Sequence, residues 1–151
     1  MAMLEIRKAG DPVLKKQALP VERIDKRIKK LLDDMAETMY EADGVGLAAP
    51  QVGMSLQIIV VDAGDGLLEV INPSILKSEG SETGLEGCLS VPGVFGDVER
   101  CTKVVVEGLN RSGRKVRINA EGFLARVLQH EIDHLQGILF IEKAQTLQKG
   151  L

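Results

Sequence analysis

Aromatic side chains are scarce in this sequence, whose 151 residues include three Phe, one Tyr and no Trp. A hydrophobic core must therefore be built from Val, Ile, Leu, Met and Ala, and the hydrophobic content of 44% is sufficient for one. No apolar run approaches the length of a membrane span, and residues 1–10 lack the long apolar stretch of a secretory signal. We therefore expect a single compact domain, residues 1–151, with no membrane partner.

Cysteine and positive charge are limited as well. Two cysteines do not make a disulfide framework, so we expect a reduced, cytoplasmic protein, although a mature organelle enzyme without its transit peptide would have the same features. Lys and Arg number 19 against 22 Asp and Glu, a net charge of −3, which argues against a broad nucleic-acid-binding surface. The basic stretch at residues 25–30 is typical of a solvated helix face.

The apolar pattern predicts two helices and several strands. Residues 25–40 carry apolar side chains at steps of three and four, and residues 122–135 carry them over more than half of the helix circumference, which indicates a buried helix. The predicted strands are residues 56–62, 67–71, 104–109 and 115–120. Asn72-Pro73 is predicted to break the second of these strands, which can resume at residues 74–77. Because helices and strands do not alternate regularly, we expect an α+β fold.

The second helix carries the strongest chemical signal, the segment His130-Glu131-Ile132-Asp133-His134. Residues four apart share a helix face, so both imidazoles can bind one metal ion, with Glu131 beside them as an acid–base. These are the only two histidines of the chain, and chance placement would rarely put them four apart. The alternative is a pair of core histidines satisfied by hydrogen bonds, which leaves the spacing unexplained.

A catalytic metal usually takes three protein ligands, and no third histidine exists. Little chain follows His134, so the third ligand is sought upstream, at Cys88 or Cys101. We favour Cys88, because a loop thiol next to Gly87 can approach a helix face. Cys101 stands at the start of an apparent strand and is interpreted as a small core residue.

The charge of Asp133 also requires a partner, because this residue lies between the two histidines on a helix predicted to be buried. Arg100 is our candidate, since it follows the Cys88 segment closely in sequence. The pair would join that segment to the helix and orient the metal ligands.

Residues 44–51, Gly-Val-Gly-Leu-Ala-Ala-Pro-Gln, form a segment of small residues after the first helix. Such a segment is most often only a turn, and its spacing is not that of a nucleotide-binding fingerprint. It can also let a substrate backbone lie close to the chain, and Gln51 can donate its amide to a developing oxyanion.

Together, these segments resemble the peptide deformylase family. That family carries Gly-φ-Gly-φ-Ala-Ala-x-Gln (φ, apolar), Glu-Gly-Cys-x-Ser and His-Glu-φ-Asp-His in this order, and the similarity extends from about Ile6 to about Ile141. The resemblance implies antiparallel β-sheets packed around a buried central helix that carries His-Glu-x-x-His. It also implies hydrolytic removal of the N-formyl group from N-formylmethionine at the start of newly synthesised polypeptides, with release of formate.

The resemblance further implies roles for individual residues. One divalent ion, Fe²⁺ in the cell with Ni²⁺, Co²⁺ or Zn²⁺ as substitutes, would be bound by Cys88, His130 and His134. Catalysis would depend on Glu131 as acid–base and on Gln51 and the backbone N–H of Leu89, which would hold the formyl oxygen. Substrate would be bound by Val45, Gly46, Glu86 and Val127. Arg126 stands where some members have an apolar residue. The implied partners are N-formylmethionyl nascent peptides and, transiently, the ribosome, with no nucleic-acid patch.

Three other functions are compatible with the same residues. A metallopeptidase could use the same helix, although its usual downstream third ligand is missing. A structural or redox metal protein would not need Glu131. A metal-free enzyme could use Cys88 as a nucleophile paired with a histidine, and a chelator would then leave its activity unchanged. The ligand set by itself suits zinc and ferrous iron about equally.

Overall fold

The computed structural model describes residues 3–149. Its two α-helices are α1 (Lys26–Glu41) and α2 (Phe123–Leu135). Its strands are β1 (Gly46–Ala48), β2 (Ile58–Val61), β3 (Leu68–Glu79), β4 (Glu82–Cys88), β5 (Val91–Arg100), β6 (Lys103–Leu109), β7 (Lys115–Glu121) and β8 (Thr146–Lys149). Short 3-10 segments occupy Pro12–Lys15, Ala49–Val52 and Phe140–Glu142. No helix within these residues is long and apolar enough to cross a membrane.

The strands form two antiparallel sheets, which confirms the predicted α+β class. The larger sheet has the order β1-β2-β3-β6-β7, and the smaller sheet has the order β4-β5-β8. Strand β1 therefore lies at one edge of the larger sheet, and strand β4 lies at one edge of the smaller sheet. These two edges border the cleft described below.

Strand β2 is apolar at every position because both of its faces are covered. Ile59 and Val61 belong to the core cluster around α2, whereas Ile58 and Val60 belong to the cluster around α1. Full burial of an aliphatic side chain contributes about 1.5–3 kcal/mol. The apolar side chains of β2 therefore pack the larger sheet against α2 on one face and against α1 on the other.

Helix α1 begins after Asp25, whose side chain accepts a hydrogen bond from the backbone N–H of Ile28 at 3.1 Å. The predicted apolar stripe packs into the core, and its members are Ile24, Ile28, Leu31, Leu32, Met35 and Met39. The opposite face is solvated as predicted, with exposed Lys26, Arg27, Lys29 and Lys30. The helix confirms the amphipathic pattern.

Helix α2 is buried along most of its length, as its wide apolar face predicts. Its core contacts with the larger sheet are made by Ala125, Val127, Leu128, Ile132 and Leu135. The helix begins at Phe123, directly after Gly122, whose φ of 65° favours glycine. Its first residue, Phe123, is an exception to this burial, because its side chain is 55% exposed.

Strand β3 continues through Asn72-Pro73, so the predicted break is wrong. Asn72 adopts a φ of 55°, and the register with β6 shifts between Ile71 and Ser74, so the irregularity is a bulge within a longer strand. The Asn72 side chain accepts a hydrogen bond from the Val21 N–H at 2.8 Å and donates one to the Val21 carbonyl at 2.9 Å. These two bonds join strand β3 to the segment that precedes α1.

Candidate active site

Cys88 is the last residue of β4 and precedes a two-residue turn, Leu89-Ser90, that leads into β5. The prediction that its thiol lies in a loop is therefore corrected to the end of a strand. The preceding glycine is required by close packing, because a Cβ on Gly87 would lie 2.9 Å from the ring of Phe95. The hairpin thus holds the cysteine at a fixed place beside α2.

The structure brings the three predicted metal ligands together. The ligand atoms of Cys88, His130 and His134 all lie within 4.8 Å of one another. Sγ of Cys88 is 3.3 Å from Nε2 of His134. Cys101 is not in this group, since its backbone N–H and carbonyl bond to the side chain of Gln129, each at 2.9 Å. The choice of Cys88 over Cys101 therefore agrees with the geometry.

These donors fit one divalent metal ion. Bonds of about 2.0–2.3 Å to a tetrahedral ion would hold the donor atoms roughly 3.5 Å apart, close to the distance from Cys88 to His134. Burial lowers the pKa of His134 well below its ordinary value, which favours the neutral imidazole that ligates metals. One thiolate and two imidazoles suit zinc or ferrous iron.

Glu86 lines the cleft as predicted, but its carboxylate is directed at His130. Oε1 of Glu86 lies 2.9 Å from Nδ1 of His130, Arg100 donates to both carboxylate oxygens at 2.9 Å, and Arg126 donates to Oε2 at 2.7 Å. Burial raises the pKa of Glu86, but Arg100 and His130 outweigh burial and hold that pKa at about 2. The ionised Glu86 accepts a hydrogen bond from Nδ1–H of His130 and so directs Nε2 toward the ligand group. Burial lowers the pKa of His130, but bonds to Cys88 and Glu86 outweigh burial and raise that pKa to about 10, so a bound metal ion would replace the proton on Nε2.

The predicted pair between Arg100 and Asp133 is present. Nη1 of Arg100 donates to Oδ2 of Asp133 at 2.5 Å, and Lys143 is a second partner of the same oxygen at 2.9 Å. Arg100 is the last residue of β5 and is almost fully buried. Its guanidinium therefore joins the smaller sheet to the helix that carries both histidines.

Glu131 lies beside the ligand group on α2. Its Oε2 is 4.0 Å from Nε2 of His130, and its Oε1 is buried with no hydrogen-bond partner among residues 3–149. Burial is the largest cause that raises the pKa of Glu131, to about 7. A carboxyl group with a pKa near neutrality can accept a proton and give it back.

Gly46 leaves the space that Glu131 occupies. A Cβ at Gly46, on β1, would lie 2.6 Å from Oε2 of Glu131. Glycine at this position thus lets the edge of the larger sheet approach the carboxylate directly.

Gln51 lies in the buried 3-10 segment that follows β1. Its Oε1 accepts a hydrogen bond from the Ala48 N–H at 2.9 Å, and its Nε2 donates to Oγ of Ser90 at 3.1 Å and to Sγ of Cys88 at 3.5 Å. These partners fix the amide so that its N–H groups face the ligand group. Sequence reasoning missed Ser90, whose position two residues after Cys88 was the available signal.

A cleft of about 400 Å³ opens beside these groups. The predicted residues that line it are Val45, Gly46, Gln51, Glu86, Cys88, Leu89, Val127, His130 and Glu131. His134 is fully buried and does not line it. Lining residues that sequence reasoning did not assign include Leu85, Phe95, Phe123 and Arg126. Arg126 precedes His130 by one helical turn, so the helical pattern could have placed it on the same face.

Comparison with known proteins identifies the family of this chain. The sequence model of the family described as polypeptide deformylase matches residues 3–150. A peptide deformylase from Halothermothrix orenii is 63% identical over 145 residues, which cover 95% of this chain and 94% of that protein. One from Pelotomaculum thermopropionicum is 58% identical and covers 99% of this chain and 96% of its own length. The crystal structure of a peptide deformylase from Thermotoga maritima has a TM-score of 0.95 and 48% identity, and covers 97% of this chain and all of its own.

The structure of a peptide deformylase from Synechococcus elongatus in complex with actinonin is also similar, with a TM-score of 0.92 and 46% identity over 95% of this chain and 79% of that one. The fold, the ligand group and the sequence relationship all lead to one conclusion. This chain belongs to the polypeptide deformylase family, hydrolases that remove the N-formyl group from newly synthesised polypeptides.

Proposed function

We propose that the chain performs this deformylation at one metal centre bound by Cys88, His130 and His134, with Glu131 as the acid–base. The observation that carries the proposal is the convergence of the three ligand atoms within 4.8 Å, next to a buried carboxylate oxygen that has no partner among residues 3–149. A site that only stored or stabilised a metal would not need this carboxylate. The same argument speaks against the structural and redox alternatives.

A divalent ion held by these residues would act as a Lewis acid that lowers the pKa of a coordinated water and polarises the formyl carbonyl. Glu131 accepts a proton from the attacking water and delivers it to the leaving nitrogen, so that the amine departs and formate remains. Its pKa of about 7 supports both transfers near neutral pH.

Gln51 and the Leu89 backbone N–H hold the formyl oxygen as negative charge develops on it. Ala48 and Ser90 fix the Gln51 amide, and the formyl oxygen would replace Sγ of Cys88, the more distant of the two acceptors of Nε2, at 3.5 Å. The position of Leu89 supports this role, since it directly follows Cys88 in the hairpin turn and lines the cleft.

The peptide portion of the substrate lies between the two sheet edges. The cleft is bordered by Val45 and Gly46 at β1 and by residues of β4, both edge strands, and an extended peptide can pair with such an edge through backbone hydrogen bonds. Buried Val127 supplies an apolar wall for the methionine side chain, and the Glu86 segment borders it from β4.

Fe²⁺ is the ion we assign in the cell, with Ni²⁺, Co²⁺ or Zn²⁺ able to substitute, since each accepts mixed sulfur and nitrogen ligands. The partners are N-formylmethionyl nascent peptides, met during a transient contact with the ribosome, which places the enzyme in the cytoplasm. Residues 1–151 act as one catalytic domain, in keeping with the core clusters that join the larger sheet to both helices and with the bonds of Arg100 and Arg126 that join the smaller sheet to α2.

The test is anaerobic purification followed by metal analysis and a formate-release assay on formyl-Met peptides. We expect about one divalent ion per chain, loss of formate release with a chelator and recovery when Fe²⁺ or Ni²⁺ is added back. Matched peptides without the formyl group should not be cleaved, which separates a deformylase from a metallopeptidase. Formate release that persists after complete metal removal would contradict the proposed centre and favour a cysteine nucleophile.

A further inference from the structure

Arg126 lies on α2 one helical turn before His130, and its side chain is only 13% exposed. Its guanidinium has three acceptors on the smaller sheet. Nη1 donates to Oε2 of Glu86 at 2.7 Å and to the carbonyl of Val98 at 2.9 Å, and Nη2 donates to the carbonyl of Glu82 at 2.8 Å. One side chain of the helix thereby bonds to both β4 and β5.

The fit around this guanidinium is close. A Cβ on Gly84 would lie 3.1 Å from Cζ and Nη2 of Arg126, so the group rests directly on the backbone of β4. The contacts of Arg126 lie at the beginning of β4 and at Glu86, and the same strand ends at the metal ligand Cys88. Arg126 therefore joins α2 to β4 both at the start of the strand and two residues before Cys88.

The contacts of Arg126 join the same two elements, α2 and β4, that carry the three proposed metal ligands. On α2, Arg126 and His130 share a face. On β4, the side chains of Glu86 and Cys88 both reach histidines of that helix, although the register with β5 shifts between them. Glu86 receives hydrogen bonds from Arg126 and also faces Nδ1 of His130. A displacement of Arg126 would thus move the carboxylate that orients His130 and the strand that carries the thiolate.

We propose that Arg126 is a positioning residue that sets the distance between the Cys88 thiolate and the imidazoles of α2, and thereby the rate at which the metal leaves. The proposal rests on the ligand set given under the proposed function. Arginine suits this role because its planar guanidinium can reach three acceptors in fixed directions, whereas a lysine ammonium keeps the charge but not that geometry.

The experiment compares the wild type with Arg126→Leu, Arg126→Lys and Arg111→Leu, each loaded with Co²⁺. Arg111 is the matched control, because its guanidinium also joins a helix to a sheet, through Asp33 of α1 and Glu69 of β3, but no part of it contacts the ligand group. Two quantities are measured: the rate of Co²⁺ transfer to an excess of a coloured chelator, and the visible spectrum of Co²⁺, which reports the thiolate bond and the ligand geometry.

We expect Arg126→Leu to release Co²⁺ on the order of 10-fold faster than the wild type, with a shifted spectrum, because loss of a residue that orients metal ligands usually weakens metal binding by at least this factor. Arg126→Lys should lie between the two, and Arg111→Leu should keep the wild-type rate and spectrum even if it melts at a lower temperature. If Arg126→Leu does not fold, Arg126→Lys decides the question through the same two measurements.

A wild-type release rate and spectrum in the Arg126 variants would overturn the proposal and leave Arg126 as a structural contact only. Absence of a thiolate band in both the wild type and Arg111→Leu would be a separate failure, because it would overturn the ligand set itself. The thiolate band of the wild type and of Arg111→Leu therefore distinguishes the two failures.

Discussion

Nδ1 of His130 lies 2.9 Å from Oε1 of Glu86, and this contact decides which nitrogen of the imidazole faces the thiolate of Cys88. The carboxylate remains ionised because Arg100 and His130 stabilise its negative charge. The imidazole therefore donates Nδ1–H to Glu86 and directs Nε2 toward the ligand group, where a bound ion would replace its proton. Residues outside the proposed ligand set thus orient the proposed ligands.

Glu86→Gln should weaken metal binding about 10-fold or more, because a neutral amide cannot balance the adjacent guanidinium groups or hold His130 as firmly. A competition titration with Co²⁺ measures the change. Glu107→Gln is the control, since Glu107 also bonds to two cations, Lys115 and Arg117, at a distance from the site. Equal metal affinities in the two variants would show that Glu86 does not orient His130 for metal binding.

Cys88→Ser should lose most of its bound metal, since the thiolate is the ligand that distinguishes this site from a pair of imidazoles. Cys101→Ser should retain the metal, because Cys101 lies outside the ligand group and packs against the core around α2. Metal content per chain after gel filtration decides between the two cysteines. The same metal content in both variants would show that the assignment is wrong.

Arg100→Leu should destabilise the fold by about 3–5 kcal/mol, because it leaves the buried carboxylate of Glu86 without its main partner. The same change should also loosen the metal, since the link to Asp133 is lost. Denaturant unfolding measures the loss, with Arg117→Leu as the control. Arg117 makes an exposed pair with Glu107, so its removal should cost no more than about 1 kcal/mol.

The iron-loaded enzyme should lose activity in air, whereas the nickel- or zinc-loaded enzyme should keep it. Ferrous iron and a thiolate are both open to oxidation, and Cys88 lines a cleft rather than lying in a closed core. Formate release is followed over time in air and under nitrogen for each metal. Equal half-lives of the iron and nickel forms in air would argue against a ferrous site accessible to oxygen.

Sequence patterns predicted the parts of the fold that have strong periodicity. Both helices and the β6–β7 hairpin follow from apolar spacing and turn residues, and the structure places them within one or two residues of the predicted bounds. Strands β4 and β5 were missed because their apolar residues alternate weakly and glycines interrupt them. Strand β1 was also missed, because it has only three residues within the small-residue segment, too few to show a strand pattern.

The three candidate metal ligands could be predicted from residue spacing and motifs, whereas most of the hydrogen bonds that orient them could not. His130 and His134 are four apart on one helix, so their proximity is a local property. The contacts of Glu86 with Arg126 and His130 join residues 40 and 44 positions apart, and only the packing of β4 on α2 creates them. The pair between Arg100 and Asp133 was predicted from a physical rule, that a buried charge requires a partner, and not from a sequence motif.

The most direct test of the mechanism is the rate of formate release per bound metal ion by Glu131→Gln. Glutamine keeps the size and hydrogen bonding of Glu131 but cannot accept the proton, so we predict normal folding, near-normal metal content and a fall in turnover of about 10²-fold or more. Asp should restore little activity, because its shorter side chain misplaces the carboxylate. Formate release at nearly the wild-type rate would contradict the assignment of Glu131 as the acid–base, and loss of the metal would show that Glu131 is a fourth ligand instead.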